Sequence, residues 1–259
     1  MIHNLLIALV ITFFIQIIFF IVASSFKTDK VTDLSYGLTF ITIALIFLAK
    51  SAQNPVHFLI AGLVLVWAIR LTGYLFIRIL KTTKDERFEN IRTNFAKLAK
   101  FWFFQALAVW IIMLPTLTVL NLETTLFGTI SKIGLFMWLV GFAVEAIADQ
   151  QKFNFRTKEA NKDKWINTGL WKFSRHPNYF GEILVWWGIF LLIVPYLKNL
   201  QLLTIFGPIF ITFILLFVSG IPPLEKKSDE KFKNNRNYQQ YKKKTSLLIP
   251  LPNKQQQNF

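Results

Sequence analysis

Two short stretches hold most of the residues able to do chemistry. One runs from Glu145 to Arg156, the other from Gly169 to Glu182. Glu145 and Asp149 are four apart, so on a helix they share one face. Arg156, seven beyond Asp149, returns to that face if the helix continues. Asn178 and Glu182 are again four apart. Pro177 suits a helix start, where its missing N–H had no helical partner. Free N–H groups there, beside Arg175 and His176, are suited to a phosphate or a carboxylate.

Each of these residues also has a plainer reading. Glu145 and Asp149 can pair with basic residues and fix helix packing. His176 can be an interfacial cap beside Arg175. Arg70 can form a buried pair, and Arg78 can snorkel to the membrane surface. Gln105 can hydrogen-bond across helices, and Asp33 can cap the second helix. The run Lys242-Lys243-Lys244 suits lipid headgroups. No G-x-G-x-x-G follows a strand, and there is no Walker loop, H-E-x-x-H or G-x-S-x-G elbow. The chain has no cysteine and three scattered His, so a metal site is not expected.

The elements that must position these residues follow from composition. The chain has 259 residues, 54% hydrophobic and 17% charged, with a net charge of +15. A soluble domain carries about 25% charged residues, so this one is too apolar and too sparsely charged for that class. Runs of about 20 apolar residues read as membrane helices. Seven appear, near 5–26, 36–49, 57–80, 101–120, 127–148, 179–197 and 200–221. The first lacks a basic leader and a clear cleavage site, so it reads as a retained helix. Pro222-Pro223 reads as the stop of the last span.

Seven spans sort the loops into two sets. Lys50, Lys132 and Lys198 lie on one side and Arg70 lies within a span. All other Lys and Arg fall on the opposite side or at its edge. Basic loops stay in the cytoplasm, which predicts N-out and C-in. The same asymmetry explains the net charge without nucleic acid. The expected fold is an all-α, polytopic transmembrane bundle forming a single membrane domain over 1–259. It divides into N-terminal helices (1–126), a C-terminal half (127–252) and a flexible tail (253–259).

The string Gly169-Leu-Trp-Lys-Phe-Ser-Arg-His-Pro-Asn-Tyr-Phe-Gly-Glu182 resembles the C-terminal half of the steroid 5-alpha-reductase family. The likeness is greatest to a bacterial branch of membrane proteins grouped with those enzymes. It extends through Glu145–Arg156, Tyr241 and Leu247-Leu248-Ile249-Pro250, over roughly residues 140–252. It is looser in the first half, through Arg70-Leu-Thr-Gly-Tyr74 and Lys84-Asp-Glu-Arg-Phe88.

The resemblance implies a seven-helix reductase of an inner membrane. It implies NADPH as hydride donor to a carbon–carbon double bond in a lipid or steroid-like substrate. Asp149, Arg156, Arg175, His176, Asn178, Tyr179, Glu182 and Tyr241 would then bind the cofactor in the 127–252 half, with the N-terminal helices (1–126) on the substrate side. Arg156 would meet a phosphate, and Asn178 with Glu182 the nicotinamide amide.

There are departures. The steroid enzymes carry Asn where Glu145 stands. Trp67 falls near the position of their catalytic Tyr, and the second helix has no Glu. Glu145, Tyr74 and Tyr36 are the remaining candidates for a proton donor. The Arg-His-Pro-x-Tyr-x-Gly pattern is also similar to membrane methyltransferases that use S-adenosylmethionine, such as the isoprenylcysteine enzymes. A non-enzymatic lipid-binding protein is the third reading.

Overall fold

A computed structural model of the protein describes residues 2–82, 91, 93–122 and 127–252. The Lys84–Phe88 string and the 253–259 tail lie outside the described residues. Nine α-helices occur within them. They are α1 (Ile2–Phe26), α2 (Thr32–Lys50), α3 (Pro55–Thr82), α4 (Phe95–Val119), α5 (Thr129–Arg156), α6 (Pro177–Ile193), α7 (Phe206–Phe213), α8 (Ile221–Phe232) and α9 (Arg236–Lys244). No strand occurs among the described residues. Seven helical stretches are long and apolar enough to cross a membrane. Five are α1 to α5 and the sixth, Pro177–Tyr196, extends α6. The seventh, Asn199–Phe232, is composite: a 3₁₀ turn, α7, a π turn at Ile214–Val218, then α8. Helices are the expected solution for such runs, because a bilayer core offers no water to satisfy an unpaired backbone.

The side-chain pattern is inverted relative to a soluble protein. On α1 the large apolar residues Ile2, Leu6, Val10, Phe14, Ile17 and Ile21 point outward and are exposed. Its buried face is small or polar: Ala8, Thr12, Gln16 and Ala23. Lipid tails solvate large apolar side chains. Small and hydrogen-bonding residues are what let membrane helices approach one another.

The chain divides into two compact units, Met1–Lys132 with Ile189–Phe210, and Ile133–Gly188 with Ile211–Phe259. In the first, a buried polar network ties α1, α2 and α4. Gln105 Nε2 donates to Gln16 Oε1 and Ser35 Oγ, both at 2.9 Å. Gln16 Nε2 donates to Thr39 Oγ1 at 2.8 Å. Gln105 therefore bonds across helices. Asp33 does not cap α2 through its side chain. It sits in the first turn and pairs with Arg78 of α3 at 3.0 Å. Pro115 lies inside α4, where Gly207 leaves room for its ring.

Pro222 and Pro223 also differ from expectation. They begin α8 rather than ending the preceding helix. Proline fits a helix's first turn, and the break falls earlier, at Ser219 and Gly220. Replacing Gln105 by Ala is expected to cost about 1 kcal/mol, the scale of a membrane-buried hydrogen bond. A thermal melt of the detergent-solubilised protein checks this, and an unchanged midpoint would show the network to be idle.

Candidate functional site

The residues that can do chemistry gather in the second unit, and glycine explains how. Gly181 of α6 lies where an added Cβ would sit 2.5 Å from the Glu145 backbone nitrogen of α5. A Cβ at Gly141 would lie 2.7 Å from the Gly181 carbonyl oxygen, and one at Gly188 2.7 Å from the Trp138 nitrogen. The two backbones therefore touch at 181 against 141–145 and at 188 against 134–138. Numbers rise on one helix as they fall on the other, so the pair is antiparallel. One turn further along, Asn178 comes level with Asp149. Glu145 and Asp149 are only 2% and 5% exposed, so both carboxyl groups are held within the unit.

The loop after α5 folds back over this end of the helix. Gly169 adopts a positive φ of 60°, a conformation that glycine takes without strain. This places it against the Gln151 side chain, whose Oε1 accepts the Leu170 N–H at 3.0 Å. The buried Trp171 indole donates to the Ala148 carbonyl at 3.0 Å. Lys152 Nζ stands 4.5 Å from the Trp171 ring centroid, a cation–π contact. Ala148, Gln151 and Lys152 flank Asp149, so the loop is sewn to α5 around that carboxylate.

A cluster centred on Glu225 of α8 closes the other side. Arg175 donates Nε to Glu225 Oε1 at 3.3 Å, and its Nη2 lies 3.0 Å from Oε2. Arg175 Nη1 donates to the Lys242 carbonyl at 2.7 Å. His176 Nε2 lies 2.9 Å from Glu225 Oε1. A carboxylate only accepts, so Nε2 carries the proton. Lys242 Nζ reaches Asp229 at 2.6 Å and Glu225 at 3.3 Å. The His176 ring stacks on Tyr179, with centroids 5.7 Å apart. Tyr241 donates its hydroxyl to the Trp171 carbonyl at 2.7 Å.

Several buried polar atoms of this unit have no hydrogen-bond partner, the Thr245 hydroxyl and the Trp165 indole N–H among them, and so do two ring and amide acceptors, His176 Nδ1 and Asn178 Oδ1. They flank Pro177 at the head of α6. An unsatisfied buried acceptor costs about 1–3 kcal/mol, and a donor that meets it recovers that cost. Burial holds the His176 pKa below its ordinary value of 6.5, against the opposing pull of the Glu225 hydrogen bond. Burial likewise pushes the Tyr241 hydroxyl up, so it stays protonated and donating. For Lys242, burial works to lower the pKa, but the Asp229 hydrogen bond and Glu225 outweigh it and raise it.

Glu145, Asp149, Arg156, Arg175, His176, Asn178, Tyr179, Glu182 and Tyr241 all lie in the second unit, with Arg156 exposed at the end of α5. Tyr74 lies on α3 in the first unit, half-buried. Arg175 has its guanidinium engaged by Glu225 and chain carbonyls, and Lys242 turns to Asp229 and Glu225. Sequence reasoning missed Glu225, Gln151 and Trp171. Glu225 was hidden because its partner Arg175 is 50 residues away. Its one local signal is an acid just after Pro222-Pro223 in a lysine-rich run.

The fold and this site define a multi-pass α-helical membrane protein with a polar, partly unsatisfied cluster at the head of one helix pair. The family described as "Protein of unknown function (DUF1295)" matches residues 19–245, and the chain belongs to it. That family is associated with steroid 5-alpha-reductase-like proteins. An uncharacterized protein of Schizosaccharomyces pombe is 28% identical over 155 residues, 52% of this chain and 44% of the relative. The chain thus spans less than half the length of that relative. No solved structure matches.

Two outcomes follow from the geometry. Gly181→Val is expected to destabilise by about 1–3 kcal/mol or more, since the added carbons meet backbone rather than a movable side chain. A melting midpoint equal to that of the parent protein would contradict the close crossing. The neutral His176 ring has a pH signature too. A lowered folded pKa means its contribution is complete above the ordinary value and is lost as pH falls through the folded one. Melting midpoints should drop as pH falls below the ordinary value of 6.5, and less so in His176→Gln, because that variant has no imidazole to charge. Parallel curves for the two proteins would remove His176 as the cause.

Proposed function

We propose that this chain is a membrane-embedded reductase that uses NADPH to reduce a carbon–carbon double bond in a lipid or steroid-like substrate. The observation that carries the reading is the pair of orphaned acceptors, His176 Nδ1 and Asn178 Oδ1, level with the buried carboxyl of Asp149. Acceptors and acids grouped this way select a ligand rich in donors, such as a carboxamide NH₂ and sugar hydroxyls. Membership of a family associated with steroid 5-alpha-reductase-like proteins points the same way.

In this reading Asp149, Asn178, Tyr179, Glu182 and Tyr241 bind the donor-rich parts of NADPH, and Arg156 takes a phosphate as a bidentate donor. His176 accepts a hydrogen bond at Nδ1. Arg175 acts through Glu225, holding His176 in its Nε2-protonated form. NADPH, when bound, supplies the hydride. Glu145 is the group proposed to hold and release the proton. The substrate enters from the bilayer. The methyltransferase reading leans on Arg175, and that side chain is engaged by Glu225.

Thermal-shift titration of the detergent-purified protein with NADPH, NADH and S-adenosylmethionine tests this. A ligand specific to the folded state adds about 2.7 kcal/mol at a hundred times its dissociation constant. NADPH is expected to shift the melt, and Asn178→Ala and Glu182→Ala to weaken its binding about tenfold each, roughly 1.4 kcal/mol. A shift with S-adenosylmethionine alone would replace the reading with a methyltransferase. Unchanged NADPH affinity in both variants would move the site elsewhere.

A further inference from the structure

The last described residues form a strap. Arg175 N–H donates to the Ser246 carbonyl at 2.9 Å, and Ser174 Oγ donates to the Leu248 carbonyl at 2.7 Å. Leu251 N–H donates to the Phe173 carbonyl at 3.2 Å. Ser174 and Ser246 form a parallel bridge. The strap bends at 247–249, and exposure alternates along it. Leu247, Ile249 and Leu251 are 41%, 52% and 52% exposed. Ser246, Leu248 and Pro250, between them, are half-buried. Phe173, on the partner segment, is 39% exposed.

The strap's hydrogen bonds fix its depth. They fall on residues 173–175, and the membrane-spanning stretch Pro177–Tyr196 begins two residues later. The strap is therefore held at the end of a membrane helix, at the level of the lipid headgroups. Exposed Lys172 and Lys243 stand in sequence beside the apolar residues. Apolar side chains flanked by lysines at that depth match the boundary between acyl chains and anionic headgroups.

We infer that the strap 246–251 is a membrane-docking element. Leu247, Ile249, Leu251 and Phe173 insert into the interface of an anionic leaflet, and Lys172 and Lys243 meet its headgroups. The lysine run serves this role only in part, because Lys242 is committed to Asp229 and Glu225. This inference does not depend on the reaction proposed above.

The chain has no cysteine, so Ile249→Cys or Leu247→Cys introduces a single thiol for an environment-sensitive dye. Asn234→Cys, on the exposed turn between α8 and α9, is the control. The labelled full chain is placed in nanodiscs of phosphatidylcholine with phosphatidylglycerol. Labels at 249 and 247 are expected to be about threefold or more shielded from aqueous iodide relative to 234, as for groups sunk into the headgroup region. They are also expected to be quenched by nitroxide-bearing lipid. Lys172→Gln with Lys243→Gln should reduce the shielding, as should pure phosphatidylcholine. Iodide access equal to that at 234 would overturn the inference. Shielding without quenching by the lipid nitroxide would also overturn it, because a second copy of the chain would then cover the strap.

Discussion

Gly181 meets the backbone of Glu145 with no room for a side chain, and the polar cluster depends on that contact. Two helices that touch through backbone lie closer than bulky side chains allow. Membrane helices are drawn together by this kind of packing, since the surrounding lipid is as apolar as the helix faces themselves. The contact sets the antiparallel register of α5 and α6. Register in turn brings Asn178 level with Asp149 and sets the head of α6 beside the C-terminal end of α5. Without it the carboxyl groups of α5 would face lipid, where an ionisable group is costly.

Everything added by the rest of the second unit tightens that arrangement. The loop after α5 returns through Gly169 and anchors on Ala148, Gln151 and Lys152. Glu225 then binds Arg175, His176 and Lys242 at once. Breaking such a cluster from one side leaves charges half-buried and unpaired, which is costlier than never having formed it. Its net worth to stability is small by comparison. What it supplies is orientation: one tautomer of His176, one position for the head of α6, and an anchor for the C-terminal strap.

The first unit uses a different device for the same problem. Gln16, Ser35, Thr39 and Gln105 satisfy one another inside apolar helices. Such bonds are individually modest, yet they have direction, which dispersion lacks. They select which faces of α1, α2 and α4 meet, while the outer face of α1 stays uniformly large and apolar. Orientation in both units is thus a matter of a few polar atoms placed where lipid cannot compete for them.

Hydropathy by itself determined the class of fold and the approximate place of every span, because a bilayer demands length and apolarity that any sequence must display. Spacing gave the shared faces of Glu145 with Asp149 and of Asn178 with Glu182, since the helical period is local. The exceptions were also local in appearance. Pro222-Pro223 read as a stop and proved to be a start, and Asp33 read as a cap and proved to be an ion-pair partner for Arg78. In each, local chemistry allowed two outcomes and a neighbour elsewhere chose between them. Glu225 left only a faint local signal. An acid in a lysine-rich run has many possible partners, and only the return of the chain over 50 residues brings it to Arg175 and His176. The tertiary structure alone decided which charges are spent on one another and which acceptors are left open, because pairing depends on distance in space and the sequence records only distance along the chain.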